Sequence, residues 1–224
     1  ITPDLLPPVT PQGKRCADID VPKGRRCIPA GFFALYRSWQ YSSEPSLSRA
    51  FPTYLDAFLV DTHEVTNGEY AAFVASGGAA PLPEFCGLSS PLSYFSSTYD
   101  IERSGWSGGK PDSTLVEHPV ICVTRGEARA YCAAKGGLLP TAVQWIRAAL
   151  GDFPDLKAYP WGNDPCPNGP CDQTNLPAAY SPSCKHDLCN EPAGSYPTDT
   201  SVHGVVDLAG SVSEFLRDCD SPEP

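Results

Sequence analysis

Apolar positions recur along this chain at two spacings, and the spacings separate strands from helices. The stretch "RCIPAGFFALYRSW", from Arg26, sets Ile28, Phe32, Phe33 and Tyr36 around a glycine turn, which predicts strand. "YLDAFLVDTHEV" alternates loosely and predicts a further strand, with Leu55, Phe58 and Val60 as core. Three helices are marked by their starts. Thr66 with Glu69, Thr124 with Glu127 and Thr141 with Gln144 each fit a capping box. In that motif the threonine hydroxyl accepts the third helical N–H and the longer side chain reaches back to the cap. Val65 and Tyr70 are spaced to form a hydrophobic staple across the first cap. The first helix carries Tyr70, Phe73 and Val74 on one face and stops at Gly77-Gly78; the second stops at Gly136-Gly137. The third turns Val143, Trp145, Ile146, Ala149 and Leu150 inward and stops at Gly151.

Between the first two helices lie about 45 residues rich in Pro, Ser and Gly, and regular patterning fades after Tyr159. Long irregular segments in a compact domain need pins. Ten cysteines, at 16, 27, 86, 122, 132, 166, 171, 184, 189 and 219, can supply them. Their even number, with 25 prolines and no methionine, fits an exported protein in an oxidising compartment: periplasmic, cell-surface or extracellular. The opening "ITPDLLPPVTPQ" reads as a proline-rich tether over residues 1–15, to a membrane anchor or a larger assembly, and residues 16–224 read as one domain. No apolar run reaches the ~18 residues of a transmembrane segment. With 16 basic and 26 acidic side chains the net charge is −10, which argues against nucleic acid and against a basic patch on anionic lipid.

Four features could carry chemistry. Cys166 and Cys171, then Cys184 and Cys189 with His186 between them, form two close pairs: a zinc site, or two small disulfide loops as the oxidising compartment favours. His63, His118, His186 and His203 are scattered, no two at ligand spacing on one helix, so each reads as a satisfied or exposed side chain. No G-x-S-x-G marks a nucleophile, and no G-x-G-x-x-G, P-loop or H-E-x-x-H is present. The fourth feature is oxygen-rich. Asp207, Gly210, Val212 and Glu214 offer two carboxylates with backbone carbonyls between them, and Asn175, Leu176, Asp187 and Cys189 offer a similar set. Calcium takes six to eight such oxygens in a flexible loop, though loop carboxylates are more commonly just solvated.

Five motifs in order resemble the sulfatase-modifying-factor domain, the family of the formylglycine-generating enzyme. They are "IPAGFFALY", "FLVDTHEVTNGEYAAFV", "HPVICVTRGEARAYCAAKGGLLPTAVQWIRAA", "YPWGN" and "EPAGSYPTDTSVHGVVDLAGSVSEFLRD", covering roughly residues 26 to 218. The resemblance implies an irregular α+β fold of C-type-lectin-like topology, with little regular secondary structure and disulfide stabilisation. It also implies two structural calcium ions. One would be held by Asn175, the Leu176 carbonyl, Asp187 and the Cys189 carbonyl; the other by Asp207, the carbonyls of Gly210 and Val212, and Glu214.

Departures from the family pattern bear on activity. Leu138 stands where the family has Arg, Ala142 and Gln144 stand where it has Glu, and Ser211, Ser213 and Phe215 replace Asn, Trp and Trp. The copper-binding cysteine pair of the enzymes belongs to a segment past the last matched motif, and none of the ten cysteines sits at those positions; copper is therefore not expected in this chain. In the family a cysteine at the Cys132 position pairs into that same segment, so Cys132 is expected to pair with Cys122 or Cys219 or to lack its partner. The expectation is a secreted, non-catalytic, calcium-stabilised binding or structural module with a protein or surface-assembly partner. The alternatives are part of a copper-dependent formylglycine-generating oxidase, and a calcium-dependent carbohydrate-binding lectin.

Overall fold

A computed structural model describes residues 13–35, 51–82, 105–152, 155–165 and 191–218. Six short strands and three helices make up its regular structure: β1 (Arg25–Ile28), β2 (Gly31–Leu35), β3 (Phe51–Leu55), β4 (Phe58–Asp61), α1 (Asn67–Ala75), β5 (Trp106–Ser107), β6 (Lys110–Pro111), α2 (Arg125–Ala134) and α3 (Ala142–Leu150). The architecture is mixed, with few regular elements, as expected. The strands flanking Pro29 do not pair with each other. β1 pairs antiparallel with β4, Arg25 opposite Asp61 and Ile28 opposite Phe58. β2 pairs antiparallel with β3, Gly31 opposite Leu55. Only Pro29 and Ala30 separate β1 from β2, and proline has no N–H to give to a hairpin ladder. The chain therefore nests one pair inside the other. β5 and β6 form a small antiparallel hairpin between α1 and α2.

All three capping boxes form. The hydroxyls of Thr66, Thr124 and Thr141 accept the backbone N–H of Glu69, Glu127 and Gln144, each at 3.2 Å. In return the threonine N–H groups donate to Glu69 Oε2 at 3.0 Å, Glu127 Oε2 at 2.7 Å and Gln144 Oε1 at 2.9 Å. α1 is further seated by its surroundings: the amides of Asn67 and Gly68 donate to the carbonyls of His118 and Val116, both at 2.8 Å. Buried Asn67 donates from Nδ2 to the Leu115 carbonyl at 2.9 Å and accepts the Trp106 indole N–H at 2.6 Å, so both ends of its amide are engaged.

Two apolar clusters form the core. Ile28, Ala148, Ala149, Val205 and Leu208 make one, with Phe58, Val60, Trp145 and Leu150 against it. Tyr70, Phe73, Trp106 and Tyr131 make the other, where Tyr70 stacks on Tyr131 at 5.4 Å between ring centroids and meets Trp106 edge-on at 5.9 Å. Val65 packs against this second cluster, which completes the staple expected with Tyr70. α3 departs from its expected inward face in one respect: it also buries Arg147, while Trp145 and Ile146 are half-buried.

Cys16 is bonded to Cys27. Cys122 is also disulfide-bonded, to a cysteine outside the described residues, and Cys132 is free. Cys132 is therefore not the partner of Cys122. Its thiol is half-buried beneath α2, and burial, with the Asp61 carboxylate next, pushes its pKa up. No helix among the described residues is long and apolar enough to cross a membrane.

Candidate metal centre

The first oxygen set, Asn175, Leu176, Asp187 and Cys189, lies outside the described residues, as do the cysteine pairs 166/171 and 184/189 and His186. The second set, Asp207 to Glu214, is on one loop whose position is fixed from several sides.

The entry to the loop is a tight return. The Thr200–Val206 bridge and the bond from the Ser201 amide to the Val205 carbonyl, 2.8 Å, bring Asp199 beside Asp207. The Asp207 amide donates to the Asp199 carbonyl at 3.2 Å, and the Ala209 amide to Asp199 Oδ2 at 3.0 Å. Val206 ties the return to the strands through a 2.9 Å bond to the Thr62 carbonyl. Asp207 and Ser211 both take left-handed backbone, φ 62° and 61°. For a residue with a Cβ this costs about 1–2 kcal/mol each, and such strain concentrates at functional loops.

Three carboxylates face the loop. Asp207 is 4% exposed; its Oδ2 accepts the Gly194 amide at 2.5 Å, and its Oδ1 is buried with no hydrogen-bond partner. Glu214 accepts from the Trp145 indole and keeps an open side to solvent. Glu64, from the link between β4 and α1, is 5% exposed and accepts the Val212 amide and the Ser211 hydroxyl, one on each oxygen, both at 3.1 Å. Burial raises the pKa of Glu64 and Asp207, and at Glu64 pushes it up to about 8, with the Asp207 and Glu214 charges adding to the effect. Asp199, wholly buried and with its own Oδ1 unpartnered, is pushed up by burial to about 6.

The loop is thus a site where negative charge is crowded and under-compensated by protein. None of the hydrogen bonds between described residues uses the carbonyls of Gly210 or Val212. A cavity of about 540 Å³ runs along the loop, lined by Trp145, Asp207, Gly210, Val212, Glu214 and Leu216. The donor set is oxygen only, which suits a hard cation, and the orphaned Asp207 Oδ1 is the atom such an ion would satisfy. The fit to calcium is therefore good. Among the described residues no group of three His, Cys, Asp or Glu side chains lies close enough to hold a metal, so an ion here depends on carbonyls and water for its remaining ligands.

A second cleft, of about 950 Å³, shares Trp145, Val212 and Glu214 with that cavity, and its wall includes Val60, Val120, Cys132 and Leu139. Leu138, 70% exposed, and Phe215, 39% exposed, stand on its rim. Sequence reasoning did not single out Glu64, Asp199 or Arg147. Glu64 and Arg147 act through partners more than 100 positions away, and Asp199 through a turn whose closure its spacing alone does not mark.

His63 and His203 also have defined surroundings. His63 Nδ1 lies 2.8 Å from the Glu64 carbonyl, so Nδ1 carries the proton. His203 is tucked near Asp152 and takes no part in the loop.

The sulfatase-modifying factor enzyme 1-like domain matches residues 21–224, and the chain belongs to that family. Among its relatives is the formylglycine-generating enzyme of Bos taurus, 30% identical over an alignment of 162 positions that covers 63% of this chain and 43% of the relative. The formylglycine-generating enzyme of Thermomonospora curvata is 28% identical over an alignment of 231 positions that covers 89% of this chain and 72% of the relative. The inactive C-alpha-formylglycine-generating enzyme 2 of Bos taurus is 35% identical over 125 residues, 51% of this chain and 39% of the relative. The chain spans less than half the length of either bovine relative.

Proposed function

We propose that this domain is a calcium-stabilised, non-catalytic binding module of C-type-lectin-like topology, working in an exported protein. The observation that carries the calcium part is the Asp207 carboxylate, 96% buried by its 4% exposure, with one oxygen left unpartnered inside an all-oxygen loop. Burying such an atom without compensation costs several kcal/mol, and a bound cation offsets that cost. Asp207, Glu214 and the Gly210 and Val212 carbonyls would hold the ion, which would supply charge neutralisation and loop rigidity. The Cys16–Cys27 disulfide and the bonded Cys122 support an oxidising compartment. The apolar cleft beside the loop, with Leu138 and Phe215 on its rim, supports a protein partner.

Calcium titration of chelated protein by calorimetry tests the metal reading. Saturable binding that loses one site in Asp207→Ala is expected; a flat titration of wild-type protein overturns it. The non-catalytic reading is tested with a cysteine-containing peptide, copper and oxygen. Unchanged peptide is expected, and a formylglycine product found by mass would install the second reading. That reading, an oxidase, is favoured by the relatives named as formylglycine-generating enzymes, while the inactive bovine relative favours the first.

A further inference from the structure

We propose that Glu64 is the positioning residue of the cation loop, setting the direction of its two ligand carbonyls before any ion arrives. The inference rests on the cation reading of the same loop. The peptide between Ser211 and Val212 lies between the peptides that carry the Gly210 and Val212 carbonyls. Peptide groups are rigid planes, so fixing the middle one restricts both neighbours. Glu64 fixes it twice, through the Val212 N–H on Oε1 and the Ser211 hydroxyl on Oε2. The same contacts hold Ser211 in its left-handed backbone at φ 61°, which turns the chain between the two carbonyls. Each Glu64 oxygen already accepts one hydrogen bond from the loop, so the role assigned to Glu64 is to hold the loop, not to ligate the ion.

Glu64 is in turn held by rigid neighbours. Val65 accepts the Val120 amide at 2.8 Å, Thr66 opens α1 with its capping box, and the Glu64 carbonyl meets His63 Nδ1. The anchor therefore stands on the β4–α1 junction, 147 positions away in sequence from Ser211. Sites supported from a rigid second element keep their geometry better than sites left to their own loop. The loop's affinity for a cation thus depends on a residue that never touches the ion.

Two measurements on Glu64→Ala and Glu64→Gln test this. One is hydrogen exchange at the Val212 amide in chelated protein. The wild type is expected to protect that amide, and Glu64→Ala to lose about tenfold or more of the protection while α2 keeps its own. The other is calcium affinity by calorimetry. Glu64→Ala is expected to bind about tenfold more weakly, the loss of one buried hydrogen bond, and Glu64→Gln to lose less because its amide oxygen still accepts from Val212. If Glu64→Ala does not fold, Ser211→Ala removes one of the two anchors and is expected to weaken binding about threefold. Unchanged affinity in the variants, or equal Val212 exchange with and without Glu64, overturns the proposal while leaving the cation reading intact. Absence of calcium binding by the wild type removes both.

Discussion

Arg147 is a charged side chain, 1% exposed, in a helix that would otherwise present only apolar residues inward. Its Nη1 donates to the Gly31 carbonyl at 2.7 Å and its Nη2 to Asp152 Oδ1 at 2.6 Å. One guanidinium thereby ties α3 to β2 and to the turn that follows α3. Gly31 makes room for it: a Cβ at position 31 would lie 2.8 Å from Nη2. Gly31→Ala is expected to destabilise the domain by about 1–3 kcal/mol through overpacking, and Arg147→Ala by about 2–4 kcal/mol through the cavity and the lost bonds. Urea unfolding of the two variants checks both numbers; a Gly31→Ala protein as stable as wild type would mean the guanidinium is free to move. His203 lies on the same network, its Nε2 3.8 Å from Asp152 Oδ1. Burial holds its pKa below the usual histidine value, with Arg147 adding to the effect and Asp152 opposing it. The unfolded chain then binds the proton more readily than the folded one. Stability is accordingly expected to fall as pH drops through about 6.5 towards the depressed folded value, and to be regained above it. His203→Gln should flatten that part of the pH–stability curve, and an unchanged slope in the variant would exclude His203 as its source.

The three helices show what a local signal can and cannot predict at the scale of elements. A capping box spans four residues, so its chemistry is complete within a short stretch of sequence, and all three form at their expected positions. Their energetic weight is not equal. Thr66 is buried and its helix is locked to the 116–120 segment, whereas the Thr124 box is exposed. Thr66→Ala is expected to cost about 1–2 kcal/mol and Thr124→Ala about half of that, because a buried cap leaves its N–H groups without water as a substitute partner. Thermal melts of the two variants give the order directly, and a reversed order would contradict it. Strand pairing was less legible than the helices. Ile28, Phe33, Phe58 and Val60 read correctly as strand, but the nesting of β1–β4 around β2–β3 depends on pairings 16 to 36 residues apart in sequence. Nothing in a two-residue alternation distinguishes which strand is the neighbour. The cysteines posed the same difficulty. Their number pointed to disulfides, while the free state of Cys132 among the described residues emerged only from the fold.

For the whole molecule the recurring theme is uncompensated negative charge. The chain carries a net charge of −10, and three of its acidic side chains, Glu64, Asp199 and Asp207, are buried around one loop. The carboxylates at 207 and 214 and their carbonyl neighbours were legible from spacing and from the family's motif order. Glu64 and Asp199 were not, because their hydrogen bonds to the loop arise from tertiary packing. A domain with this distribution is expected to be limited by the loop when metal is withheld. The loop joins the apolar cluster of Ile28, Ala148 and Val205, through Leu208, to the cap of α1, through Glu64. Loosening it therefore weakens contacts on both sides and does not stay local. A ligand present at about 100 times its Kd stabilises the state it binds by about 2.7 kcal/mol. For a chain of this size each kcal/mol moves the midpoint by about 2–4 °C, so chelation is expected to lower Tm by about 5–10 °C. Calcium added back should restore it, and magnesium should restore less, since its tighter octahedral demand suits a carbonyl-rich loop poorly. Asp207→Ala protein should melt at one temperature with or without calcium if this loop is the responsible site. A calcium-dependent shift that survives in the variant would transfer the effect to another part of the chain, and no shift in the wild type would remove the stabilising role altogether.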